Sequence, residues 1–541
     1  MRRYLAILLA ACVSSSVGFS QPAPSMPRLV VVLAIDQMRF DFLTRFDPLY
    51  TGGLRTLIDR GAVFTNANYR HAATETGPGH SVLMSGRHPS HSGIVANEWH
   101  DPYLKKTINV VNDPVQTTVG GAGRAASPVN ALGFTVGDVL KTRTPQSRVV
   151  GVSAKDRSAV LLGGLRADAA YWFENSGGNF ITSSFYMDAP PAWLTEWNRR
   201  RSADRFAGKP WNRLLEDAAV YGRYAGVDAV EGERDRIDTT FPHVFTAAPP
   251  QAQHYVELRR TPFIDDVTLD FALEAMTQHE LGRDAATDIL AIGFSGSDGV
   301  GHAYGPDSHE VMDQFLRLDR LLGRLFKEID SAVGLDNTIV ILSADHGARP
   351  LVEVQQARGI AARRVAPALL RTAVADAFAR RYPTATNLIS YFAVDFYLDV
   401  ELMRQHGLNQ REVEQTAIDA LMATGLVEKV YTHDDLRSGS AASDPFLSLF
   451  RNAFFEPRAP HLNVLLKRDV YMAAAAGGTG HGSAYDFDRH IPVVFMGRGI
   501  TPGTYPNPSG PEDIAPTLAQ LLQLEFPREW DARVLTEMLS R

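Results

Sequence analysis

From Leu29 to Ile35 the chain runs through apolar residues without a break and then meets Asp36. An unbroken apolar run bounded by charge predicts a strand buried on both faces, since a half-exposed strand would alternate. Similar runs at Arg148–Val152, Asp288–Phe294, Asn337–Leu342 and Ile491–Met496 predict further buried strands. Between them the period changes. Val311, Phe315, Leu318, Leu322, Leu325 and Ile329 recur at intervals of three and four with charged residues opposite, the pattern of an amphipathic helix. Buried strands alternating with such helices predict an α/β fold, one large core with a mostly parallel central sheet flanked by helices. Two stretches interrupt the rhythm. Residues of about 160–285 are rich in aromatics, Pro and Arg, and about 350–475 mix helices such as Gln410–Thr424 with short strands. Both are expected as insertions capping one catalytic domain that spans 28–541.

Composition adds little to this and removes much. The 541 residues are 45% hydrophobic and 21% charged, with Gly and Pro near average usage, which excludes collagenous and low-complexity classes. Lys and Arg number 54 against 61 Asp and Glu, a net charge of −7, so there is no nucleic-acid-binding signature. The one cysteine, Cys12, rules out an intramolecular disulfide and any cysteine-built zinc site. At the start, Arg2 and Arg3 precede an apolar stretch from Tyr4 to Val13 and small residues up to Ser20, the order of an export signal. Residues 21–27, with three prolines, follow as a linker. Leu9-Ala10-Ala11-Cys12 offers a second reading, a lipoprotein box that would leave the protein anchored through Cys12. Either way the expected location is periplasmic, secreted or on the outer surface. No later run reaches the ~18 apolar residues a transmembrane helix needs. Nothing in the sequence specifies an oligomeric state.

In open α/β sheets ligands bind at the carboxyl ends of strands. Asp36 follows the first run, Asp298 and His302 follow the third, and Asp345-His346 follow the fourth. His481 lies in a glycine-rich loop just before the fifth. Singly, each has an ordinary structural reading as a turn, cap or surface residue, and Asp298 with His302 could be a pair on a helix surface. Together they make three carboxylates and three imidazoles at junctions of one sheet, enough for two zinc-type ions without sulfur.

A nucleophile candidate lies in Thr74-Glu75-Thr76-Gly77-Pro78-Gly79-His80. Pro78 suits a first helical turn, so Thr76 is expected just before a helix N-terminus, where backbone N–H groups stabilise an anion. Thr74 or Thr76 could equally cap that helix. Lys155 and Arg157 sit two residues apart after a strand, and on extended backbone both would face one anion; the alternative is a solvated surface pair.

The motifs Ala34-Ile-Asp36, Thr76-Gly-Pro-Gly-His80, Gly93-Ile-Val-Ala-Asn97-Glu-Trp99, Asp298-Gly-Val-Gly-His302-Ala-Tyr-Gly-Pro306, Asp345-His346-Gly347 and Gly480-His481-Gly482 occur in this order over nearly the whole chain. The sequence resembles the alkaline phosphatase superfamily, in the branch of nucleotide pyrophosphatase/phosphodiesterases and threonine-dependent bacterial alkaline phosphatases. The resemblance implies two Zn2+ per chain. One would be held by Asp298, His302 and His481, the other by Asp36, Asp345, His346 and the Thr76 oxygen. It implies that Asn97 hydrogen-bonds a phosphoryl oxygen and that a phospho-threonine forms at Thr76 and is hydrolysed. Lys155-Asp-Arg157 resembles the pair of the threonine-type alkaline phosphatases that contacts the phosphate monoester, and which the diesterase branch lacks. The expected function is therefore an exported zinc-dependent alkaline phosphatase acting on small phosphorylated substrates. A phosphodiesterase on the same scaffold is the alternative, and a non-enzymatic zinc-binding protein a remote one. His80, His309 and His490 have no role in the pattern and are expected to be structural.

Overall fold

The structure is a computed structural model, and it describes residues 26–540 apart from 103, 234–238, 439–442, 474–475, 526 and 528–530. The expected export signal with Cys12, and most of the linker, lie outside the described residues.

Ten strands form the main sheet: β1 (Leu29–Ile35), β2 (Ala62–Phe64), β3 (Thr118–Val119), β4 (Val149–Ser153), β5 (Ala169–Glu174), β6 (Asn179–Ser183), β7 (Asp288–Phe294), β8 (Thr338–Ser343), β9 (Val493–Gly497) and β10 (Gly503–Tyr505). Their spatial order is β10-β2-β9-β8-β1-β7-β4-β5-β6-β3. The central five, β8-β1-β7-β4-β5, pair in parallel, with Val31 opposite both Val340 and Leu290. Every residue of β1, β4, β7 and β8 is buried, as the unbroken apolar runs require. Strand β9 runs antiparallel to β8, Ser343 facing Val493. Its beginning therefore lies at the edge of the sheet where its parallel neighbours end.

Helices α1 (Thr76–Ser85), α2 (Asp156–Gly163), α3 (Phe263–Gln278), α4 (Gly296–Tyr304) and α5 (His309–Ala332) cover these strands. In α5 the six residues of the apolar stripe are all buried, and the Ser308 hydroxyl accepts from Val311 N–H to start the helix. Within 160–285, β5 and β6 extend the main sheet and α3 packs on it, so this stretch builds core as well as covering it. Residues 368–472 carry a separate four-stranded sheet, with an apolar cluster of their own around Phe378, Phe396, Val413 and Leu462.

Candidate active site

Three parallel strands and one antiparallel strand bring their chemistry to the same edge. Asp36 directly follows β1, and Asp345 and His346 follow β8 after one alanine. Asp298 and His302 occupy the first and last turns of α4, which begins two residues after β7. They do form an i,i+4 helical pair, His302 Nε2 lying 3.2 Å from Asp298 Oδ1, but Asp298 is buried in the site and not on a surface. His481 comes from the loop that leads into β9, which the antiparallel direction of that strand delivers to this edge.

Thr76 is the first residue of α1, with Glu75 in the extended cap position, so it lies one residue further into the helix than expected. Its carbonyl and hydroxyl serve separate ends. The hydroxyl does not cap the helix; Oγ1 lies 3.4 Å from both Lys155 Nζ and Arg157 NH2. Thr74 is committed elsewhere, its hydroxyl donating to Ser483 O at 2.8 Å. Gly79 permits the approach of α1 to the end of β8: a Cβ there would lie 2.2 Å from the Asp345 carbonyl oxygen.

The helix amides offer less than the sequence implied. Gly77 N–H donates to Asn97 Oδ1 at 2.7 Å, Pro78 has no N–H, and Gly79 N–H donates to Glu75 O. These amides are therefore committed, and side chains supply donors for an anion beside Thr76. Asn97 N–H donates in turn to Glu75 Oε2 at 2.7 Å, so the carboxamide is fixed through its oxygen and its Nδ2 is the group left to donate.

Lys155 is the extended cap residue of α2, and Arg157 is already helical, so a strand-to-helix junction brings both to Thr76 where extended backbone was expected. Their surroundings differ. Lys155 is 6% exposed and sits between Asp36 Oδ2 at 2.6 Å and Asp298 Oδ2 at 2.7 Å. Arg157 is partly exposed, and its one ion pair is a long contact of 3.9 Å to Asp156.

The histidines share one arrangement. His302, His346, His481 and His80 each place Nδ1 against a main-chain carbonyl, of Thr479, Gly347, Thr74 and Thr76, at 2.8–2.9 Å. A carbonyl only accepts, so Nδ1 carries a proton and Nε2 is the nitrogen that can offer a lone pair to a cation. Those Nε2 atoms face carboxylates: His346 and Asp345 Oδ2 at 3.2 Å, His481 and Asp298 Oδ1 at 3.7 Å, His80 and Asp36 Oδ1 at 3.3 Å. A lone pair against a carboxylate repels until a cation lies between them. Asp36 Oδ1, Asp345 Oδ2 and the Nε2 atoms of His346 and His80 are buried with no hydrogen-bond partner. This is the arrangement of metal ligands whose second ring nitrogen is anchored by a carbonyl.

The electrostatics agree. Burial resists charge on Asp345 and on His346, but their mutual attraction prevails, holding Asp345 far below the usual carboxylate range and lifting His346 to about 9. Burial likewise resists charge on Asp298, and His302 and Lys155 outweigh it. Asp36 goes the other way: burial, with Asp345 beside it, pushes its carboxyl up. Three clustered carboxylates against one lysine draw protons onto His302 and His346, while burial and those two rings push His481 down, and divalent cations could take the protons' place. The donor groups form two sets, Asp298/His302/His481 and Asp36/His80/Asp345, with His346 against Asp345 at the second. They fit two divalent ions bound by nitrogen and oxygen.

His80, expected to be structural, instead stands in the second donor set, and Gln37 had no part in the sequence reading. His80 is one turn beyond Thr76 on α1, so the i,i+4 spacing was the available signal. Gln37, with a left-handed φ of 60°, donates its N–H to Asp345 Oδ1 (3.0 Å) and its Nε2 to Asp298 Oδ1 (3.1 Å), joining the two sets. No local pattern marks it. His309 and His490 are structural as expected, the first bonded to Asp228 and Gly226 O, the second to Thr65 O.

The profile of the family described as Type I phosphodiesterase / nucleotide pyrophosphatase matches residues 30–490. The chain is 32% identical to alkaline phosphatase PafA of Elizabethkingia meningoseptica over 547 residues, 99% of each protein. It is 30% identical to alkaline phosphatase PhoV of Synechococcus elongatus over 99% of this chain and 98% of that one. The crystal structure of wild-type PafA superposes with a TM-score of 0.89, covering 96% of this chain and 100% of that one. A second PafA structure is of a variant with Thr changed to Ser and Asn, Lys and Arg changed to Ala. In it the Asn lies 21 positions after the Thr and the Arg two after the Lys, the spacings of Thr76 to Asn97 and Lys155 to Arg157.

Proposed function

The chain belongs to the type I phosphodiesterase/nucleotide pyrophosphatase family, and within it we infer a phosphate monoester hydrolase of the alkaline phosphatase kind. The observation that carries this reading is the Thr76 hydroxyl, flanked by Lys155 and Arg157 where the two carboxylate–imidazole sets meet. Thr76 is the nucleophile. Its Oγ–P bond forms as the ester P–O bond breaks, and water then cleaves the phospho-threonine to release inorganic phosphate. We assign one zinc ion to Asp36, Asp345, His346 and the Thr76 oxygen, and a second to Asp298, His302 and His481, a donor set that suits zinc. When bound, the pair supplies Lewis-acid polarisation and neutralises charge on the reacting oxygens. Asn97 donates Nδ2 to a phosphoryl oxygen, and Arg157 offers its planar donors to others. Lys155 holds Asp36 and Asp298 together and adds its charge to the same oxygens.

A monoester dianion presents three unmasked oxygens, whereas a diester has one covered by carbon and carries less charge. Two cations beside the nucleophile therefore favour the monoester. The diesterase reading has the same scaffold but leaves Arg157 without a task. A comparison of kcat/KM for an aryl phosphate monoester and its matching diester, with zinc-loaded protein, tests this; a diester preference would overturn it. The charged start, apolar stretch and small residues of the first twenty positions support export to the periplasm or beyond, with lipidation of Cys12 as the alternative. One catalytic domain over 28–541, with an insertion at about 350–475 and with about 160–285 supplying core as well as cover, is the domain organisation we propose.

A further inference from the structure

Beside the catalytic groups lies a pocket of about 370 Å3 whose lining includes Lys155, Asp298 and His302 together with Asn175, Arg259 and Arg260. Thr76, Asp345 and His346 are not among its walls. In an in-line displacement the leaving group departs on the side away from the nucleophile, so this pocket, beyond the Asp298/His302 pair, is where it would go.

The two arginines are placed there with little to neutralise them. Arg259 is half-buried, and among the described residues it has no carboxylate within ion-pair distance and reaches Asn175 Oδ1, at 3.5 Å, with its guanidinium. Burial and the neighbouring Arg157 guanidinium both disfavour its charge. Asp156, the carboxylate in this neighbourhood, pairs with Arg157 instead. Arg260 is exposed and likewise without an ion pair among the described residues. Among the charged side chains that line the pocket, Lys155, Arg259 and Arg260 outnumber Asp298, so the lining carries a surplus of positive charge. Their position is fixed by the main chain. Arg259 ends a short helix (Ala252–Leu258), its N–H donating to Tyr255 O, and its carbonyl packs so closely on α4 that a Cβ on Gly299 would lie 2.3 Å from it. The same helix carries Asp298 and His302, which ties the arginines to the catalytic edge.

We propose that this pocket is a leaving-group subsite for a second oxyanion, so that the preferred substrates are phosphate monoesters whose alcohol portion also bears a phosphate or carboxylate, received by Arg259 and Arg260. Guanidinium donors in a partly dry pocket suit such an anion. A pocket of this volume accepts a small polar molecule, not a polymer. The proposal rests on the monoesterase reading and adds the identity of the leaving group.

The test compares three substrates of matched length: propane-1,3-diol bisphosphate, the phosphate ester of 3-hydroxypropanoate, and 3-hydroxypropyl phosphate, which has a neutral leaving group. The wild-type enzyme is expected to favour at least one anionic leaving group over the neutral one by about tenfold in kcat/KM, and the two anionic arms tell phosphate from carboxylate. Arg259→Gln/Arg260→Gln should collapse that ratio to near one, while Arg259→Lys/Arg260→Lys should retain part of it. No preference in the wild-type enzyme overturns the proposal without need of any variant. Equal loss on charged and neutral substrates in the Gln variant overturns it too, placing the arginines in phosphoryl contact or in support of the fold. Hydrolysis of none of the three would instead count against the monoesterase reading.

Discussion

Lys155 and Arg157 lie equally far from the Thr76 oxygen, yet removing them should have different consequences. Arg157 is partly exposed and bound to the protein by one long ion pair, worth about 0–1 kcal/mol at most. Lys155 is buried between two carboxylates, and breaking such a group leaves uncompensated charge, a loss of about 3–5 kcal/mol. An unfolding entropy of about 2.1 cal/mol/K per residue makes 1 kcal/mol correspond to roughly 1 °C in a chain of this size. Arg157→Ala should therefore leave Tm within about 1 °C, and Lys155→Ala should lower it by about 3–5 °C in metal-free protein. Divalent metal should shrink the second shift, because the same carboxylates then gain another positive partner.

Activity should divide differently. A charged donor aimed at developing charge in a preorganised site contributes roughly 10²–10³ in rate. Arg157→Ala should reduce monoester kcat/KM by about that factor and diester kcat/KM by about tenfold or less, since the diester presents fewer charged oxygens. Calorimetry and parallel kinetics on aryl monoester and diester, with metal content measured by elemental analysis, read both quantities. Equal losses on the two substrates, or a Tm shift as large for Arg157→Ala as for Lys155→Ala, would refute the division of roles.

Chelation should abolish activity and zinc restore it, with Asp345→Ala or His302→Ala losing metal and rate together; full activity in protein shown to be metal-free would end the two-ion reading. Thr76→Ser should keep part of the activity and Thr76→Ala lose the covalent route, and a trapped phospho-enzyme should map to Thr76, whereas label on Thr74 would show the wrong nucleophile. Burial pushes the carboxyl of Asp265, which accepts from Gly296 N–H and Gln314, up to about 7. Because this folded value lies above the unfolded one, its stabilisation is fully present below about pH 4 and lost as pH rises from there to about 7, roughly 4 kcal/mol at most. Asp265→Asn should consequently flatten the fall in Tm between about pH 4 and 7 by up to about 4 °C; an unchanged pH profile would contradict the buried neutral form.

The parallel strands and the residues that follow them were legible in the chain because both are local. An apolar run specifies a buried strand, and its first polar residue specifies what is delivered at the sheet edge. Asp36, Asp298, Asp345 and His346 needed no knowledge of distant segments to be placed there. His481 was found by its motif, but the reason it arrives, the antiparallel direction of β9, is a property of pairing and is written in neither strand alone. Tertiary structure alone decided the rest. Lys155 is clamped between carboxylates 119 and 143 positions away, Gln37 joins sets that meet across 261 residues, and Arg259 faces the pocket because a glycine in another helix lets its carbonyl approach. Sequence periodicity reports which face of an element seeks burial; it does not report which distant charge will stand opposite, because that is settled only when the faces pack and their electrostatic and steric demands are met together.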